Sequence, residues 1–147
     1  MKLLKLIKHL LFFIVLTLIT QVGGLIWLFS VWISQSIKKK KRYIFPVLYL
    51  LCNLIIIPPI AKLLGREKLP VFDKTLKPIH WCYPLLFRNY VNPKLKVVLQ
   101  DTAHVLFISK AISITYLDAN FPFFDGFPLL PHLSHNDGKK LIFHYYI

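Results

Sequence analysis

The sequence predicts a membrane protein: a two-helix transmembrane hairpin followed by a small, incomplete α+β domain. Three observations carry that expectation. The 147 residues are 56% hydrophobic with a mean hydropathy of +0.56, above the usual range of soluble domains of this length. The apolar residues crowd into two uncharged runs, Leu10–Ile33 and Tyr43–Ala61, separated by the cluster Lys38-Lys39-Lys40-Lys41-Arg42. Beyond them the pattern changes to a helical period and then to β-branched stretches.

At about 1.5 Å rise per residue the first run is roughly 36 Å long, enough to cross a hydrocarbon core of about 30 Å with some tilt. The second run is close to the minimum spanning length. The basic cluster between them does not fit in hydrocarbon, where each charge costs about 2.5 to 3.5 kcal/mol, so it forms the loop of a hairpin occupying residues 1–64. Lys2, Lys5 and Lys8 resemble the basic start of a secretory signal peptide. However, the apolar run exceeds the roughly 7 to 15 residues of such a signal, and Gln21-Val22-Gly23-Gly24 is a poor cleavage site, which predicts a retained anchor. Placing Lys38–Arg42 in the cytoplasm makes the chain integral to the cytoplasmic membrane, with its C-terminal part on the outer, periplasmic side. Lys2, Lys5 and Lys8, with Lys62, Arg66, Lys68, Lys74 and Lys77, oppose that orientation.

Residues 65–93 are rich in Pro, Lys and aromatics and predict an irregular, membrane-proximal connector, with Trp81 and Tyr83 suited to the lipid interface. His80 in this connector reads as interfacial. The α+β fragment covers residues 94–147. Leu95, Val98, Leu99, Thr102 and Leu106 recur at three- and four-residue steps after Pro93, predicting a helix over 94–110. Ala111–Leu117 is apolar and β-branched and reads as a buried strand ended by Asp118-Ala119-Asn120. Pro122, Gly126, Pro128 and Pro131 make residues 121–131 a loop, and Asn136-Asp137-Gly138 turns the chain into a last strand over 139–147. Asp118 and Asp125 read as solvated or turn-forming loop carboxylates.

A formal net charge of +13 suggests nucleic acid as a partner, but much of the charge flanks the apolar runs, where it serves insertion and contact with anionic lipid head groups. There is no arginine–aromatic array or zinc-finger spacing, so the expected partners are the bilayer and its head groups, not nucleic acid. Cys52 and Cys82 imply no disulfide framework. Gln21 and Asn53 within the runs read as amides that join helices, a transport pathway being the alternative. No nucleotide loop or nucleophile elbow is present.

The segment Pro131-His132-Leu133-Ser134-His135-Asn136-Asp137-Gly138 carries the chemistry. Two imidazoles three residues apart, ahead of a tight turn and a strand, supply at most two zinc ligands, where a catalytic site needs about three and an open position. Ser134-His135-x-x-Gly138 resembles the opening of the His-x-x-Gly-x-x-x-Asp motif of the penicillin-insensitive murein endopeptidases and the related lysostaphin-type and D-Ala-D-Ala zinc peptidases. The preceding His132 matches that family in shape. The resemblance implies zinc as the cofactor, His135 as a ligand, His132 as a nearby site residue, Ser134 and Gly138 as support for the turn, and peptidoglycan peptides as substrate. Tyr116–Phe123 also resembles a signature of small membrane-anchored bacterial proteins. The chain departs from the peptidase pattern at Ile142, where the family has its ligand Asp, and no later His-x-His strand follows. His144 is either a displaced ligand or an ordinary strand residue, and Asp137 either a ligand or part of the turn. These features predict a truncated or degenerate relative of a membrane-anchored zinc peptidase, weakly active or inactive. The alternative is a non-enzymatic membrane protein that binds a partner or anionic lipid through its hairpin and basic flanks.

Overall fold

The computed structural model, which describes residues 2–37, 41–128 and 137–146, breaks the first apolar run into two helices, α1 (Lys2–Thr20) and α2 (Gly23–Ser36). Gln21 turns the chain with a left-handed φ of 65°. The Thr20 hydroxyl donates to the Leu16 carbonyl at 2.7 Å and accepts from the Gly23 N–H at 2.7 Å, which satisfies one of the N–H donors left open where α2 begins. Gly24 then lies directly on α1. A Cβ there would overlap the Thr17 hydroxyl and fall 2.5 Å from the Phe13 carbonyl and 2.9 Å from Phe13 Cδ2. The absence of a side chain therefore permits the close helix contact, as small residues do between membrane helices.

The expected spans Leu10–Ile33 and Tyr43–Ala61 are corrected accordingly. Two helical stretches are long and apolar enough to cross a membrane, Leu3–Thr20 and Ile44–Leu63. At 14 residues, α2 rises only about 21 Å, short of a hydrocarbon core. Only 6% and 17% of the two long windows are buried, so their apolar side chains face outward instead of forming a core of their own. The second stretch starts after a 3₁₀ turn at Lys41–Tyr43 and comprises α3 (Ile44–Leu51), a wider π turn (Cys52–Ile56) and α4 (Ile57–Leu63). Pro58 and Pro59 lack N–H groups, so the carbonyls four residues earlier lose their α-helical donors, and the Ile57 N–H donates to Cys52 instead. Gln21 and Asn53 are buried, a placement that suits amides joining helices.

The chain divides into two units, Met1–Ile57 and Pro58–Ile147. The second contains residues 65–93, which are not the irregular connector expected. They form β1 (Glu67–Lys68), β2 (Leu76–Pro78), the short helix α5 (Cys82–Leu85) and β3 (Tyr90–Val91). Leu69, Leu76, Phe87, Tyr90 and Val91 are all buried. Strands of two or three residues are too short to show an alternating pattern, and for that reason the composition of the segment misleads.

The helix expected over 94–110 is α6 (Pro93–Lys110), and the strand expected over 111–117 is β4 (Ser113–Tyr116). Asn92 caps α6 by accepting the Lys94 N–H at 3.0 Å, and Pro93 occupies the first turn, where a missing N–H costs nothing. Ala111 ends the helix in a left-handed conformation at φ 55°. β4 is the centre of a three-stranded sheet, parallel to β2 and antiparallel to β5 (Phe143–Tyr146), with Leu76 opposite Ile114 and Tyr116 opposite Phe143. A separate antiparallel pair joins β1 to β3. Leu99 and Ala103 of α6 pack with Leu76, Ile114 and Tyr116 to form the core, joined by Leu69, Val91 and Ala119.

Gly24→Val is expected to lower the stability of the detergent-solubilised helical unit by about 1 to 3 kcal/mol through overpacking against Thr17 and Phe13. Thermal unfolding followed by far-UV circular dichroism checks this, and an unchanged midpoint would mean that α1 and α2 do not meet at Gly24.

Candidate functional site

His132, Ser134 and His135, the core of the expected zinc motif, lie outside the described residues. Their flanks do not. Asp137 Oδ1 accepts the Lys139 N–H at 3.0 Å, closing an Asx turn. That backbone hydrogen bond, with Lys140 and Lys139 assisting against partial burial, holds the Asp137 carboxyl below the usual carboxylate range. Gly138 follows at φ +66°, a left-handed conformation that favours glycine, and its carbonyl accepts the Asn92 N–H at 2.9 Å. Asp137 thus closes a turn.

Arg66 binds both flanks. Its side chain is only 5% exposed and is paired with Asp125, which precedes the segment, while the nearby Asp137 carboxylate follows it. Burial lowers the pKa of the guanidinium, and Asp137 counters that effect. A Cβ on Gly138 would overlap Arg66 Nη1, so glycine there serves both the backbone angle and the space that Arg66 occupies.

Asp125 is the exposed, turn-forming carboxylate expected, although it pairs with Arg66; Asp118 is not. Asp118 is buried and receives two hydrogen bonds from Arg88, with Nε to Oδ1 at 3.0 Å and Nη2 to Oδ2. The same guanidinium lies 5.9 Å from the centre of the Phe121 ring. The backbone closes around the pair: the Ala119 N–H donates to the Arg88 carbonyl at 3.1 Å, and the Tyr90 N–H to the Asn120 carbonyl at 3.0 Å. Tyr116, Asp118, Ala119, Asn120 and Phe121 are all buried, so much of the Tyr116–Phe123 signature is interior. Arg66 and Arg88 are the two residues that sequence reasoning missed. Their partners are 59 and 30 positions away, and no local spacing announces such pairs.

Ile142, in the position of the motif carboxylate, is bound into the fold by its backbone. Its N–H donates to the Asp118 carbonyl at 3.2 Å, and its carbonyl accepts the Leu117 N–H at 2.9 Å. His144 is an exposed residue of β5 opposite Thr115, whose hydroxyl donates to the His144 carbonyl at 3.1 Å. His80 is also exposed. Among the described residues, no three His, Cys, Asp or Glu side chains converge on a point where a metal ion could be held.

Comparison with protein-family models, with curated proteins and with solved structures finds no match to this chain.

Gly138→Ala is expected to destabilise the C-terminal unit by about 1 to 3 kcal/mol, because it combines a left-handed φ with displacement of a buried guanidinium. Gly126→Ala has a φ of +75° but open space around the added carbon, and is expected to lose only about 1 kcal/mol. Amide hydrogen exchange on the two variants checks the difference, and equal losses would show that Arg66 does not pack against Gly138.

Proposed function

We propose that this chain is a membrane-anchored, catalytically degenerate relative of the zinc-dependent cell-wall peptidases, with its C-terminal α+β unit on the outer face of the cytoplasmic membrane. Anchoring is supported by two long apolar helical stretches whose side chains face outward. The peptidase kinship rests on the spacing of His132, Ser134, His135 and Gly138. The single observation that carries the loss of activity is Ile142. It stands where the motif needs a carboxylate, and the carboxylate of Asp118, whose backbone carbonyl accepts the Ile142 N–H, is committed to Arg88. His132 and His135 then supply two ligands at most, and the residues present do not fit a catalytic zinc.

Muropeptides incubated with the purified full-length protein and added zinc are expected to stay intact. Turnover that disappears in His135→Ala would contradict the proposal. Ile142→Asp tests the kinship itself: the substitution is expected to raise zinc affinity by about tenfold or more, with His135→Ala removing the gain. Zinc affinity unmoved by Ile142→Asp would favour the second reading, a non-enzymatic membrane protein that contacts anionic lipid. That reading is supported by the same outward-facing apolar helices and by the basic residues at their ends.

A further inference from the structure

We infer that the cavity at the end of the helical unit where α1 begins is a binding site for the phosphate of an anionic glycerophospholipid; the inference rests on the reading of the helices as membrane-spanning. Three chain segments meet there: the start of α1, the end of α2, and the turn leading into α3. They enclose about 690 Å³ lined by Lys5, His9, Trp27, Ser34, Gln35 and Arg42, among others, and none of the lining residues is acidic. Lys5 and Arg42 are exposed cations with no carboxylate in the lining; Arg42 donates to the Tyr43 hydroxyl at 2.8 Å and lies 4.8 Å from the centre of that ring, which orients the guanidinium and leaves its other N–H groups for an anion. The beginnings of α1 and α3 present positive helix ends, against the negative end of α2.

The interior supplies further donors. Trp27 Nε1 and His9 Nδ1 are buried and have no hydrogen-bond partner. The indole N–H only donates, and the imidazole nitrogen donates when protonated. The indole is held in place by ring contacts with Phe12 at 5.0 Å and Phe45 at 5.4 Å, and the His9 ring lies 5.8 Å from it. Ser30 and Ser34 spend their protons within α2, donating to the Trp27 and Val31 carbonyls at 2.7 Å each. Their oxygens are thereby left as acceptors, so the donors open toward the cavity are the Lys5 ammonium, the remaining N–H groups of Arg42 and the indole N–H of Trp27, a set that matches phosphate oxygens.

A lipid, and not free phosphate, is selected by the surroundings. Leu6 and Leu10 on α1 and Val47 and Leu50 on α3 are exposed and apolar, a surface for acyl chains attached to the same phosphate. The cavity also lies at the charged end of helices whose remaining length is apolar, the level at which head groups sit.

The test uses full-length protein in phosphatidylcholine nanodiscs containing increasing phosphatidylglycerol, with bound lipid counted by native mass spectrometry after release. Phosphatidylglycerol is expected to be retained in preference to phosphatidylcholine. Lys5→Gln with Arg42→Gln is expected to weaken that retention by roughly thirtyfold. Lys94→Gln with Lys139→Gln removes the same charge elsewhere and is expected to leave retention unchanged. Equal loss in both double variants would overturn the site, as would the absence of any lipid preference. Displacement of the lipid by excess inorganic phosphate would show a site for the free anion and overturn the lipid assignment. Alkaline carbonate extraction of native membranes separates the two levels of failure. Protein that resists extraction yet lacks a lipid preference overturns only this inference, whereas protein that is extracted overturns the membrane reading as well.

Discussion

The buried pairing of Asp118 with Arg88 is the constraint on which the C-terminal unit depends. An ionised carboxylate and a guanidinium removed from water are each costly, and only mutual, well-directed hydrogen bonds offset that cost. Here the pair also sets the path of the backbone. It fixes the chain leaving the central strand β4 against the chain entering β3, and the amides of Ala119 and Tyr90 complete the junction. On the other side of the same segment, Leu117 and Asp118 exchange backbone hydrogen bonds with Ile142 at the approach to β5. One ion pair therefore lies where the chain entering β3, the chain leaving β4 and the approach to β5 meet, while Tyr116 extends the hold by donating to the Pro70 carbonyl at 2.7 Å.

Arg66 plays a comparable part at the edge. It joins Asp125 to the Asp137-Gly138 turn and so fixes both flanks of the histidine segment, although it lies outside any motif. The unit uses its arginines as internal fasteners and leaves most lysines at the surface. That division follows from chemistry: a guanidinium offers a planar, bidentate fork for a buried carboxylate, whereas an ammonium is a strongly hydrated point charge. In the helical unit the corresponding constraint is steric, with Gly24 setting how closely α1 and α2 approach.

Much of the fold was legible in the sequence where elements are long and periodic. α6 shows its apolar spacing, its Asn92-Pro93 start and its boundary at Lys110, and β4 shows a β-branched run. The break at Gln21-Val22 was less legible. Hydropathy alone reads through it, and the signal was the Gly23-Gly24 pair, whose meaning as a helix contact depends on a partner helix. The strands β1, β2 and β3 were hidden because they are two or three residues long. Of the candidate site, the turn role of Asp137 and the left-handed glycine at 138 were local and readable. The ion pairs of Asp118 and Asp125 were not, since their partners come from distant parts of the chain.

Ile142 is bound by its backbone to Leu117 and Asp118 just ahead of β5, and the Asp118 carboxylate is occupied by Arg88. The Asp118 carboxylate is thus structural, and its pair with Arg88 organises the unit. The direct test is a double-mutant cycle read by amide hydrogen exchange at Leu117, Ala119 and Ile142. Asp118→Leu or Arg88→Met alone is predicted to reduce protection by about 3 to 5 kcal/mol, by leaving one charge buried, and the two together to recover most of that loss. Single variants that cost under about 1 kcal/mol, or losses that simply add, would contradict it.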